Sequence, residues 1–138
     1  MSAILRASGS EFDVDAFVAG SSLEVVTVYR RGEPARTTPT GPKLDRSGFN
    51  VEVSDAGFND FDEQLRDAVE FLTRHEAEVR RLVAFPGVEG VVLDFGIAWR
   101  DVAAQFERFP AELVRLAGAC GIALELSHYL TRGDAPGT

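Results

Sequence analysis

The hydrophobic positions of this 138-residue chain change period several times, and each change predicts a new element. Residues 3–8, AILRAS, read as a first strand that ends at Gly9. EFDVDAFVAGS then predicts a short helix. Asp13 can accept its free N–H groups, Phe12 and Phe17 flank the cap as a hydrophobic staple, and Gly20 stops it. Residues 23–31, LEVVTVYRR, are rich in β-branched side chains and apolar on both faces, which predicts a central strand. In FNVEVS, Phe49, Val51 and Val53 alternate with Asn50, Glu52 and Ser54, the signature of a strand with one buried face.

The strongest periodic signal runs from Phe61 to Val83. Phe61, Leu65, Ala68, Val69, Leu72, Val79, Leu82 and Val83 recur at helical spacing, and His75 falls on the border of that stripe. Asp60 with Glu63 forms a capping-box-like start. Asp62–Arg66, Glu70–Arg74 and Glu76–Arg80 are acid-before-base pairs four residues apart. FPG at 85–87 ends the helix. GVVLDFGIA follows as a strand with Val91, Leu93, Phe95 and Ile97 on one face. WRDVAAQFERF fits neither period. Pro110 then opens a helix with Leu113, Leu116, Ala117 and Cys120 as its apolar stripe, Gly121 closes it, and IALELSHYL is the last strand.

The order is therefore strand, helix, strand, strand, helix, strand, helix, strand. It predicts an α+β fold: a ferredoxin-like two-layer sandwich with a sheet of about five strands and helices packed on one face. One domain is expected over residues 1–130, with a flexible C-terminal tail over 131–138.

Composition narrows the function. A hydrophobic content of 45% excludes intrinsic disorder. No apolar run reaches the length of about 18 residues that a membrane helix needs. The start, MSAILRASGS, lacks a secretory apolar core. A single cysteine rules out an internal disulfide and fits a reducing cytoplasm. Net charge −8 disfavours nucleic acid and favours a basic protein partner. A monomer or weak homodimer is expected.

Catalytic signatures are sparse. LDFG at 93–96 and RGD at 132–134 are chance tripeptide matches, because the surrounding motifs are missing. Asp94 reads as a solvent-facing or turn-capping carboxylate. His75 and His128 have no metal-ligand spacing, so neither metal nor cofactor is expected. Cys120 reads as an inert core thiol. Asp94, His128 and Tyr129 meet only if their two strands pair, and no catalytic residue is assigned.

Two surface features remain. Arg30, Arg31, Arg36, Lys43 and Arg46 crowd a loop that also holds Pro34, Pro39 and Pro42, giving a local charge of +3 against −11 for the rest. Such a loop either offsets an acidic surface or grips an anion of nucleotide type. The second is EVSDAGFNDFDEQL, where Asp55, Asp60, Asp62 and Glu63 surround Phe58. An acidic patch with an exposed aromatic suits a basic partner.

The segments ASGSEFDVDAF, RRGEP, DRSGFNVEV and PAELVRLAGACGIALELSHY, in this order across most of the chain, resemble a family of small bacterial proteins. That family is known as a domain of unknown function of the four-two-seven-nine type. It often has Trp where Phe49 stands and an acidic residue where His128 stands. The resemblance implies no transferable activity. Its occurrence near toxin–immunity cassettes implies a protein-binding, immunity-like role. Three readings follow: a non-enzymatic interaction module, an anion binder using residues 30–46, and an enzyme using Asp94, His128 and Tyr129.

Overall fold

The computed structural model describes residues 1–130. Its elements are β1 (Ala3–Gly9), α1 (Val14–Ala19), β2 (Val25–Tyr29), β3 (Ser47–Ser54), α2 (Phe61–Ala84), β4 (Gly90–Ala98), α3 (Ala111–Cys120) and β5 (Ala123–Tyr129). Types and order match the periodicity. The tail expected over 131–138, with its RGD, lies outside the described residues.

The fold is α+β, a five-stranded mixed sheet with three helices. The strand order is β2-β3-β1-β4-β5. β1 sits in the middle, antiparallel to β3 and β4. β2 runs antiparallel to β3, and β5 runs parallel to β4 because α3 carries the chain back between them. Residues 23–31 were expected to form a central strand, but β2 lies at an edge. A register shift between Val25 and Thr27 breaks its alternation. Val25 and Val28 join the core while Val26 is 47% exposed, so the two-sided apolar pattern marks a bulge, not double burial.

Strand alternation sends Ala3, Leu5 and Ala7 of β1, Phe49 and Val51 of β3, and Val91, Leu93 and Phe95 of β4 to one face. There they share a single buried cluster with Phe17 of α1, Leu65, Leu72, Val79 and Leu82 of α2, and Leu113 and Ala117 of α3. All three helices therefore cover the same side of the sheet. The other side carries Arg6, Asn50, Glu52, Asp94, Glu125 and Ser127.

At six residues α1 is too short to be stable alone. Asp13 accepts from the Ala16 N–H at 3.1 Å, and the Phe12 and Phe17 rings lie 6.3 Å apart, the expected staple. Phe17 is fully buried, stacked on Phe49 at 5.5 Å and edge-on to Phe85 at 5.2 Å. The Arg81 guanidinium lies 4.3 Å above the same ring. Glu78 clamps the chain after α1 onto α2. Its Oε2 accepts from the Ser21 hydroxyl at 2.5 Å and the Ser22 N–H at 3.2 Å, and Arg81 Nε donates to its Oε1 at 2.7 Å.

Helix α2 starts as expected, with Asp60 accepting from the Glu63 N–H at 3.2 Å. Glu70–Arg74 and Glu76–Arg80 form at 2.6 and 3.0 Å. The expected Asp62–Arg66 pair does not form. Arg66 turns to Glu63 at 2.6 Å, whose extra methylene reaches it from three residues away. His75 departs from helical geometry at φ −111°, ψ 19°, and kinks the helix. After α2, Gly87 takes φ 86°, and a Cβ there would lie 2.2 Å from the Glu11 carbonyl oxygen, so only glycine fits this crossing.

Two predictions follow from this packing. Replacing Phe17 with Ala removes the ring that ties α1 to the sheet and lowers unfolding free energy by about 3–5 kcal/mol, measurable by urea denaturation. Arg81 holds the Glu78 carboxyl at about 2, below its ordinary 4.5, against opposing burial and with help from Ser21 and Ser22. Glu78 therefore stabilises the fold above about pH 4.5, and that contribution fades as pH falls towards 2. Glu78→Gln should melt lower than the parent at pH 7, and the gap should close across that window.

Candidate functional site

The helix-free face of the sheet holds a carboxylate that the sequence placed in solvent. Asp94 is 3% exposed. Arg6 Nη2 lies 2.7 Å from its Oδ2, and the Ser127 hydroxyl donates to its Oδ1 at 2.7 Å. Registry explains the meeting. Asp94 sits beside Ile4 on β1 and Glu125 on β5, so Arg6 and Ser127 are diagonal neighbours on the same face. Arg6 Nη1 also reaches Glu125 at 3.4 Å.

The strands of Asp94, His128 and Tyr129 do pair, yet the three side chains do not form one site. His128 is aligned with Ile97 and Tyr129 with Ala98, beyond Asp94 along the strand. The His128 ring lies 6.1 Å from Trp99, and Tyr129 stacks on Phe58 at 5.1 Å. The Phe58–Tyr129 pair covers Gly96, where a Cβ would meet Tyr129 at 2.9 Å and Phe58 at 3.1 Å. Beneath, the fully buried Gln64 donates through Nε2 to the carbonyls of Gly96 at 2.8 Å and Gly57 at 3.2 Å. Its Oε1 has no partner among the described residues.

The basic loop is more ordered than its prolines implied. Pro34 and Lys43 form an isolated bridge, and the Gly32 and Leu44 N–H groups cross-link the arm to the Leu44 and Glu33 carbonyls at 2.9 and 2.8 Å. Its arginines face outward to separate acids. Arg30 grips Asp15 through two bonds of 2.9 and 2.8 Å, and Arg31 reaches Glu11 at 2.8 Å. Arg46 donates to the Ser8 hydroxyl at 3.1 Å. Arg36 and Lys43 make no ion pair among the described residues. The structure does not converge the five side chains on one point. In the Asp15–Arg30 pair the hydrogen bonding lowers the carboxyl and raises the guanidinium from their ordinary values.

The acidic stretch divides its labour. Asp60 caps α2, Glu63 holds Arg66, and Phe58 packs on Tyr129. Asp55 is exposed. Asp62 belongs to a concave site that periodicity did not foresee. The start of α2 and residues 106–112 enclose a groove of about 1000 Å³. Leu65 and Val69 line it as apolar surface, and Asp62, Glu70, Glu107 and Glu112 line it as acids, against Arg66 and Arg108. Phe106 stands at the groove, 84% exposed.

The groove's outer wall belongs to the segment without a period, residues 99–109. Gln105 anchors it, donating to the Ala98 carbonyl at 3.1 Å and accepting the Arg100 N–H at 3.0 Å. Phe109 docks against Phe95 at 5.5 Å and Phe61 at 5.7 Å. Phe109 packs on the core while residues 99–104, 106 and 108 are exposed, so no helical or strand period could register. Cys120, 3% exposed, lies apart from the groove in the core, and burial, with Glu76, raises its thiol despite Arg80.

The described residues form a one-sided α+β sheet with a buried carboxylate on its bare face and an acid-rimmed groove. The chain belongs to the DUF4279 family, a domain of unknown function, which matches residues 1–131. None of the curated proteins and none of the solved structures compared with it matches.

The Asp94 network predicts a stability cost. Asp94→Ala removes the ion pair with Arg6 and the hydrogen bond from Ser127, so it should lower unfolding free energy by about 2–3 kcal/mol. Asp94→Asn keeps an acceptor for Ser127 and should lose less. Equilibrium denaturation of both variants measures the order.

Proposed function

We propose that the protein is a non-enzymatic interaction module that takes a basic, amphipathic segment of a protein partner into the groove between α2 and residues 106–112. The observation that carries this reading is the pairing of apolar Leu65 and Val69 with four carboxylates around a volume of about 1000 Å³. Of these acids, Glu70 and Glu107 face Arg74 and Arg100, while Asp62 and Glu112 make no ion pair among the described residues. Apolar surface supplies affinity, and the carboxylates supply orientation and a fast, salt-sensitive encounter. Phe106 is an aromatic anchor at the entrance. An immunity-like role fits such a surface. A cytoplasmic setting is supported by the lone, buried thiol.

The fold reading can be sharpened in the same way. The order β2-β3-β1-β4, with α1 and α2 as crossovers, supports a ferredoxin-like βαββαβ unit to which α3 and β5 are added. Anion binding by Arg30, Arg31, Arg36, Lys43 and Arg46 draws less support, since three of the five already serve Asp15, Glu11 and Ser8. An enzyme using Asp94, His128 and Tyr129 draws less again, because Asp94 is engaged by Arg6 and Ser127.

The test is a titration of isotope-labelled protein with an amphipathic helical peptide of Lys and Leu, followed by amide chemical shifts. Shifts should concentrate at Leu65, Val69, Phe106 and Glu112, and fall as salt rises. Phe106→Ser and Glu70→Lys should each weaken binding roughly tenfold. An equal response to a Glu and Leu peptide, or shifts scattered over the surface, would defeat the reading.

A further inference from the structure

The two edges of the sheet are not equivalent. β2 is five residues long and broken by its register shift between Val25 and Thr27, a common way of blunting an edge. β5 is seven residues long and stays in unbroken register with β4 from Ala123 to Tyr129. It contains neither proline nor lysine. Among the described residues its outer side pairs with no strand. A straight, unbroken edge of this kind is a template for another strand.

From this edge we infer that β5 and the outer face of α3 form a self-association surface, on which a second copy of the chain pairs antiparallel and continues the sheet. The register that centres the two-fold axis on Leu126 is self-complementary. It sets Leu126 against its own copy. Leu124 falls opposite His128 of the second copy, and Glu125 opposite its Ser127. No carboxylate stands directly opposite another across the pair; the two Glu125 side chains become diagonal neighbours, each with its own Arg6 guanidinium 3.4 Å away to offset the charge. Leu130, 77% exposed, falls beside Ile122 of the second copy.

The helix above the edge points the same way. Cys120 of α3 lies near Glu76 and Arg80 of α2, and Glu112 shares the groove with Val69 and Glu70. That row therefore faces α2. Leu113 and Ala117 are buried next to it. Helical spacing then turns Val114 and Gly118 away from α2, outward over β5. Val114 is 51% exposed, and a Cβ on Gly118 would meet nothing within 4 Å. Strands only about 4.8 Å apart bring their covering helices to roughly 8–10 Å, which demands a small side chain at the crossing. Antiparallel α3 helices set Val114 of one copy against Gly118 of the other. Edge and helix thus offer one continuous surface, separate from the α2 groove, so loss of either activity leaves the other readable.

Sedimentation velocity on the full chain, from micromolar to millimolar, tests the inference. The expected result is a dimer that dissociates on dilution. β5 amides should gain protection from hydrogen exchange as concentration rises. Gly118→Arg and Val114→Glu should each weaken association at least tenfold, with the far-ultraviolet spectrum and melting transition of the parent retained. Val26→Arg, on the opposite edge, should leave the dimer intact. A monomer at every concentration would overturn the inference. So would a dimer that survives both α3 substitutions, or one that Val26→Arg abolishes.

Discussion

A sheet covered by helices on one side only must dispose of its other face and its two edges. This constraint governs the molecule. The covered face is settled by alternation: Ala3, Leu5 and Ala7 of the middle strand meet the helices, with larger side chains from β3 and β4 on either side. The bare face is settled by chemistry. Arg6, Asp94 and Ser127 bind strand to strand across β1, β4 and β5, where no helix is available to exclude water. Losing Arg6 leaves the buried Asp94 carboxylate without its counter-charge, whereas on the covered side the same position would simply be apolar.

The end of that face has a second device. Phe58 and Tyr129 lie flat over Gly96, and Gln64 reaches up from α2 to the same glycine's carbonyl. The connection from β3 to α2 is thereby tied to the ends of β4 and β5. The segment 99–109 is pinned to the same region through Gln105 and Phe109. The acid-rimmed groove is therefore braced by the sheet although one wall is irregular, and a braced groove loses less freedom on binding than a loose one.

Much of this was legible in the residues. The element order followed from periodicity, and Asp13, Gly20, Asp60 and Gly121 marked helix ends by local hydrogen-bond chemistry that needs no tertiary context. What failed depended on partners far along the chain. β2 looked central because its valines were consecutive, but a bulge rotates them, and a bulge leaves no mark in composition. Asp94 looked exposed because its shield, Arg6, comes 88 residues earlier and its hydroxyl donor, Ser127, 33 later. The acidic run was visible as charge. Its one acid in the groove, Asp62, could not be told from Asp60 and Glu63, whose tasks are capping and pairing.

The lone tryptophan carries a practical consequence. Trp99 is 61% exposed and lies against His128 at the far end of β4, while the core aromatics are phenylalanines. An indole already in water changes its emission little when the chain unfolds, and phenylalanine is nearly silent beside it. Intrinsic fluorescence of this protein would therefore report the irregular segment and its contact with β5. The collapse or loss of the core would pass largely unseen in that channel, and a flat emission trace would be no sign of an intact fold.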